Sequence, residues 1–301
     1  MKADLSVYGL IGFQDFYRER QGIKNKNLLK LIAEHCFKND IGLITICSHT
    51  MEQPRGVHNR FGMLLKDSKK LPSQYKISVL DKQKKVALIV EKSKKRVIII
   101  NAQYVVTGKN AHKDRHKKSG RIDVLIIGKN NIKTKNPING TIRKNKTRST
   151  IVIGRLAYPM FSGLDKNTSY IKNCDAVIAH SANIPFTADD SPNFEEGIYE
   201  RGINERAKKI AKRQKVVWIA ASNAHRIKDI GNAHISFDDN LINLSNHQKL
   251  VSSLKEVLVK RKFKNNCGYD NVKEWRSWHD IYYEAMGVVL GNPKETKKLK
   301  L

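Results

Sequence analysis

Short apolar runs alternate with longer stretches in which apolar residues recur every three or four positions. Two runs, DLSVYGLI from residue 4 and IGLITICSH from residue 41, read as strands. Between them NKNLLKLIAEHCFKND places Leu28, Leu29, Ile32 and Cys36 on one helical face. A strand, a helix and a strand in that order form a crossover unit, so the two strands pair in parallel. Further strand-like runs follow: YKISVLD, KVALIVEK, RVIIINAQYVVT, RIDVLIIG, STIVIGRLAYP, CDAVIAHSA and KVVWIAAS. Before the last of these, NERAKKIAKRQ is a helix with Ala207, Ile210 and Ala211 inward and a basic outer face. The alternation predicts an α/β barrel over residues 1–240. From 241 to 301 the pattern changes to two amphipathic helices and a Lys-rich tail. In the second helix Trp275, Trp278, Tyr282 and Met286 share a face that packs onto the barrel or docks a protein partner.

Charge sharpens this picture. Lys and Arg number 57 against 28 Asp and Glu, a net charge of +29. Such an excess points to a polyanionic partner, RNA or DNA in the first place; a generally Lys- and Asn-rich composition is the alternative. The density peaks in residues 108–149, with thirteen basic residues against two acidic ones. We expect exposed or mobile loops there, flanking the strand RIDVLIIG. Their Lys109, Lys113, Arg115, Lys117, Lys118, Arg121, Lys133, Lys135, Arg143, Lys144, Lys146 and Arg148 are the expected nucleic-acid-binding residues. His112 and His116 belong to the same basic surface. Four cysteines without C-x-x-C spacing read as reduced thiols. No apolar run reaches signal-peptide or membrane-spanning form, so a soluble, cytoplasmic protein and no membrane partner are expected.

Candidate chemistry gathers where strands end in small and polar residues. KVVWIAAS continues into Ser222-Asn223-Ala224-His225, a short loop, and Gly231. Together with the preceding helix, which opens Asn204-x-x-Ala207, this segment resembles the last motif of the polymerase and histidinol phosphatase (PHP) superfamily, whose strand ends in Ser-Asp-Ala-His. The family opens with Asp-x-His-x-His, here Asp4, Ser6 and Tyr8. Its Thr-Asp-His is matched by Cys47-Ser48-His49, a Glu by Tyr104, and a His-Pro by Tyr158-Pro159. The resemblance spans about residues 3–238 and implies a distorted (β/α) barrel, with a basic insertion and a C-terminal helical extension, whose mouth holds two or three divalent metals that activate water against a phosphoester.

The residues at those positions depart from the family. Ser6, Tyr8, His49, Tyr104, Tyr158, Asn223 and His225 form the expected mouth. Ser, Tyr and Asn are neutral and poor ligands, so most of the negative charge that balances dications is gone. No residue is assigned as catalytic and no cofactor is expected. If zinc, manganese or iron is held, His49 and His225 are the ligands; as ordinary residues they are half-buried histidines. Asp4 and Asp229 read as turn and capping residues.

The leading expectation is a catalytically degenerate PHP-like protein that binds nucleic-acid backbone as a structural or accessory factor. A metal-dependent phosphoesterase or nuclease with a reshuffled site is the alternative, with His49, His225, Asp123 and an acid from residues 189–196 at one ion. A further one is an RNA-holding scaffold resembling the p30-type protein subunit of ribonuclease P.

Overall fold

The structure, a computed structural model, describes residues 1–8, 26–49, 60–80, 86–107, 122–129, 132, 137–156, 168–182, 203–224 and 226–268. Of Tyr8, His49 and Asp123 it describes the backbone alone. Among the described residues the strands are β1 (Lys2–Tyr8), β2 (Ile41–His49), β3 (Tyr75–Leu80), β4 (Ala87–Lys92), β5 (Lys95–Thr107), β6 (Ile122–Ile127), β7 (Ile151–Arg155), β8 (Ala176–Ser181), β9 (Trp218–Ala221), β10 (His234–Ser236) and β11 (Lys264–Asn266). The helices are α1 (Leu28–Lys38), α2 (Arg60–Ser68), α3 (Ile138–Asn145), α4 (Ile203–Arg213) and α5 (His247–Val259).

The strands make one sheet in the order β11-β10-β1-β2-β5-β6-β7-β8-β9, with the β3–β4 hairpin attached to β5 through β4. It curls into a nearly closed barrel. At one end Val7 bridges to Ala224, whose N–H donates to Ser6 O at 3.2 Å. Near the other end the Asn265 amide joins β11 to β9, accepting from Ala220 N–H at 2.7 Å and donating to Trp218 O at 3.2 Å. A crossover helix makes β1–β2 parallel, as expected. The sheet is not parallel throughout, however. β3–β4–β5 and β5–β6–β7 run antiparallel. Two residues separate β4 from β5, with Ser93 at φ 56°, too few for anything but a hairpin.

Alternation along the strands divides the core. Inward residues such as Leu5, Leu43, Ile100, Leu125, Ile153, Ile178 and Ile219 fill the barrel together with Leu250, Val251, Leu254, Val257 and Leu258 of α5. Each such burial is worth about 1.5–3 kcal/mol before entropy is charged. Residues 241–268 therefore pack on the same core as the strands, and over that range the expected extension is a layer of the barrel. Lys255 ties it down, reaching Thr147 O, Thr150 O and the buried Asp175 at 2.9, 3.1 and 3.1 Å. Outside, α1 and α2 cover β1, β2, β4 and β5, and α3 and α4 cover β5–β8.

One expectation is corrected here. Residues 137–149, within the segment expected to be exposed or mobile loops, form α3 and a turn, with Thr141, Ile142 and Asn145 buried. Ile138 and Ile142 lie four apart, a helical stripe hidden by the surrounding Lys, Arg and Asn. Of the four cysteines, Cys36, Cys47 and Cys174 are buried, Cys267 is exposed, and none is in a disulfide. Burial pushes the Cys174 thiol up to about 12. No helix among the described residues is long and apolar enough to cross a membrane.

Candidate functional site

The loop after β9 is held in place by one buried carboxylate. Asp4, fully buried, accepts from Ser222 N–H at 3.1 Å, Gly231 N–H at 2.9 Å, Ser6 N–H at 3.3 Å and the Ser222 hydroxyl. Burial raises its pKa, and these donors pull the other way by favouring the carboxylate. Gly231 sits at φ 86°, and a Cβ there would lie 2.3 Å from Ile41 Cδ1. That explains the glycine which closes the loop: the backbone is left-handed and pressed against β2. Within the loop Arg226 and Asp229 form a buried pair, Nη2 to Oδ1 at 2.6 Å, while Asp229 caps the turn as expected.

So braced, the loop places Asn223 at the barrel mouth with φ 52°, a conformation Asn tolerates better than most residues. Its Oδ1 accepts from Ser6 Oγ at 3.5 Å and from Arg155 Nη2 at 3.4 Å. Ser6 Oγ in turn lies 2.5 Å from Tyr104 OH. The Arg155 guanidinium stacks over the Tyr104 ring, 4.1 Å from its centroid. Three expected mouth residues, Ser6, Tyr104 and Asn223, thus meet. They meet around a cation that the sequence reading passed over. Its signal was legible: Ile151, Ile153 and Arg155 alternate along one strand, so a charged side chain points where its neighbours fill the core.

Beside this cluster β8 ends in Ser181, which is 2% exposed. Register pairs Ser181 with Ala221, an inward residue, so both face the barrel interior. Its backbone N–H donates to Asn204 Oδ1 at 3.0 Å, and its C=O accepts from Asn204 Nδ2 at 3.2 Å. Its hydroxyl has no hydrogen-bond partner among the described residues.

The described mouth residues do not fit a divalent metal. A hydroxyl, a phenol, an amide and a guanidinium offer no carboxylate or imidazole, and the guanidinium adds positive charge. Among the described residues no group of three or more His, Cys, Asp or Glu is placed to hold an ion. The backbones of Tyr8 and His49 end β1 and β2, next to β9 and β5. Tyr158, His225, His112, His116, residues 189–196 and the aromatic helix at 275–286 lie outside the described residues, and so do the side chains of Tyr8, His49 and Asp123.

The expected nucleic-acid-binding residues divide similarly. Lys109, Lys113, Arg115, Lys117, Lys118, Arg121, Lys133 and Lys135 lie outside the described residues, whereas Arg143, Lys144, Lys146 and Arg148 are exposed on α3 and the turn after it. They belong to a larger layer. Gln214 at the end of α4 donates to Thr168 Oγ1 at 2.7 Å, and Asn173 donates to Asn139 Oδ1 at 3.3 Å, which joins α4 to α3 through residues 168–173. Across 137–150, 168–175 and 203–216 this layer carries eleven Lys and Arg against Asp175, which is buried, and Glu205, which pairs with Lys208.

A barrel with a polar cluster at its strand ends, closed by a braced loop after β9, defines a class of α/β protein. Residues 202–257, which carry that loop and α5, match the PHP_C family model, described as PHP-associated. The match is confined to this C-terminal part of the described barrel. No curated protein matches the chain. Among solved structures, PsfC from Pseudomonas syringae PB-5123 is similar at 9% identity and a TM-score of 0.53, covering 95% of this chain and 98% of its own. A candidate metal-dependent phosphoesterase from Bifidobacterium adolescentis shares 9% identity at a TM-score of 0.39, over 75% of this chain and 88% of its own. The likeness to PsfC is one of fold.

Proposed function

We propose that this protein is a PHP-superfamily member that has exchanged metal-dependent chemistry for binding, and that it holds nucleic-acid backbone on its basic outer layer as a structural or accessory factor. The observation that carries the reading is Arg155 stacked on Tyr104 at the mouth. A fixed guanidinium among the positions matched to metal ligands repels the dications that the superfamily's hydrolytic chemistry needs. Binding is supported by the layer over α3 and α4, where exposed Lys and Arg outnumber acids on one continuous face. Such a surface neutralises phosphates and releases counterions, so affinity falls steeply with salt and depends little on base sequence. Lys109–Arg121 and Lys133–Lys135, outside the described residues, are assigned to the same function in this reading.

The experiment is a salt-dependent titration of RNA and DNA with the full chain. We expect Lys209→Gln, Lys212→Gln and Arg213→Gln together to lower affinity on all sequences alike. Each lost contact should flatten the log-log slope by about 0.7 for single strands or about 0.9 for duplex DNA. An unchanged slope removes this face from the footprint. Turnover of a phosphoester that depends on an added divalent ion overturns the binding-only reading.

A further inference from the structure

We propose that the layer over α3 and α4 selects double-stranded over single-stranded nucleic acid, and that it does so by charge density alone. This selectivity rests on the reading that the layer binds nucleic-acid backbone, and it adds which form of the polymer the face takes.

Two features of the layer, both among the described residues, carry this. The first is that its aromatic rings are withheld. A face that holds single strands combines cations with exposed rings on which unpaired bases stack. Tyr170, in the segment that joins α3 to α4, is 1% exposed. Trp218, just after α4, is half-buried, and Lys208 Nζ lies 5.7 Å from its ring centroid. The one exposed large hydrophobic side chain among the described residues is Val259 on α5, so no described aromatic ring is offered to a base.

The second feature is where the cations stand. Lys209, Lys212 and Arg213 are exposed on α4, Arg143 and Lys144 on α3, and Lys172 between the two helices. The acids of the layer do not oppose them: Asp175 is buried and accepts from Val152 N–H, and Glu205 pairs with Lys208. Ala207, Ile210 and Ala211 are packed in the core, which fixes the face that α4 turns outward. With 11 residues the helix is about 16 Å long, over which duplex DNA presents about ten charges and one of its strands about five. A rigid array of cations without stacking contacts gains most from the denser polymer. Each neutralised phosphate contributes a log-log salt slope of about 0.9 on duplex DNA and about 0.7 on a single strand. About five such contacts therefore give the duplex a preference of about tenfold at about 0.1 M salt, with nothing else to offset it.

The test titrates the full chain with single-stranded and duplex forms of one short sequence, as DNA and as RNA, at several salt concentrations. We expect the duplex to bind about tenfold more tightly than the single strand near 0.1 M salt, with the gap widening as salt falls. The tighter of the two duplexes assigns the natural source. Lys209→Gln, Lys212→Gln and Arg213→Gln together remove three contacts and should narrow the gap about fourfold at that salt. Should the triple variant fail to fold, the wild-type gap and its change with salt decide alone. A single strand bound as tightly as its duplex, a gap indifferent to salt, or a gap untouched by the triple variant overturns the selectivity and leaves backbone binding standing. No binding of any of the four nucleic acids overturns both.

Discussion

The barrel mouth and the outer layer over α3 and α4 both present positive charge, and they do so in opposite ways. At the mouth one guanidinium is buried, stacked and held by named partners. On the outer layer Arg143, Lys144, Lys209, Lys212 and Arg213 stand in solvent on long flexible stems. A buried, oriented charge is fixed by its partners, because displacing it costs packing as well as Coulomb energy. A field of exposed charges attracts any polyanion and is screened by salt within about 8–10 Å.

The largest effect expected on this comparison comes from Asp4. It holds Ser6, Ser222 and Gly231 together, so Asp4→Ala leaves several buried donors without an acceptor and should cost about 3 kcal/mol or more in chemical denaturation. Asp4→Asn should cost less. A loss below about 1 kcal/mol for the alanine would show that the mouth is braced elsewhere. Next is Tyr104→Phe, which deletes the hydroxyl bonded to Ser6 while keeping the ring beneath Arg155. We expect about 1 kcal/mol of destabilisation and, if the proposed nucleic-acid footprint is on the outer layer, no change in the salt dependence of binding. A flattened salt slope in this variant would merge the two regions into one.

The smallest effect is on pH. Burial lowers the pKa of His35, whose Nε2 lies 3.0 Å from Ile230 O, and of His180, whose Nε2 lies 3.2 Å from Gly268 O. Both groups bind protons more readily unfolded than folded. Their contribution to stability is therefore complete above the ordinary value of 6.5 and declines as pH falls through it. Thermal midpoints should fall by a few degrees between about pH 7.5 and pH 5.5. His35→Gln should reduce that drop, because the amide can still meet the carbonyl without titrating; a drop of the same size in His35→Gln and His180→Gln variants would assign it to other groups.

Much of the architecture was legible in the chain itself. Short apolar runs gave the strands, the Leu28, Leu29, Ile32 and Cys36 stripe gave α1, and Ser222-Asn223 with Gly231 marked the loop of the mouth. These are local facts, fixed by which side chains recur on one face and by where only glycine fits a left-handed backbone against a neighbouring strand. Composition misled where it was strongest: the basic residues of 137–150 concealed the Ile138–Ile142 spacing, because a helix on a surface needs only a narrow apolar stripe. What tertiary structure alone decided is the company each polar residue keeps. Ser6, Tyr104, Arg155 and Asn223 are spread over more than two hundred positions, and nothing in the spacing says that β5 turns antiparallel to β6 or that closure through Val7 and Ala224 brings β1 beside β9. Strand order and closure are global solutions to packing one inner core, so the partner of a strand-end side chain is set by the whole barrel. The sequence determined which residues face inward; only the closed sheet determined that a tyrosine, a serine and an asparagine would gather around an arginine there.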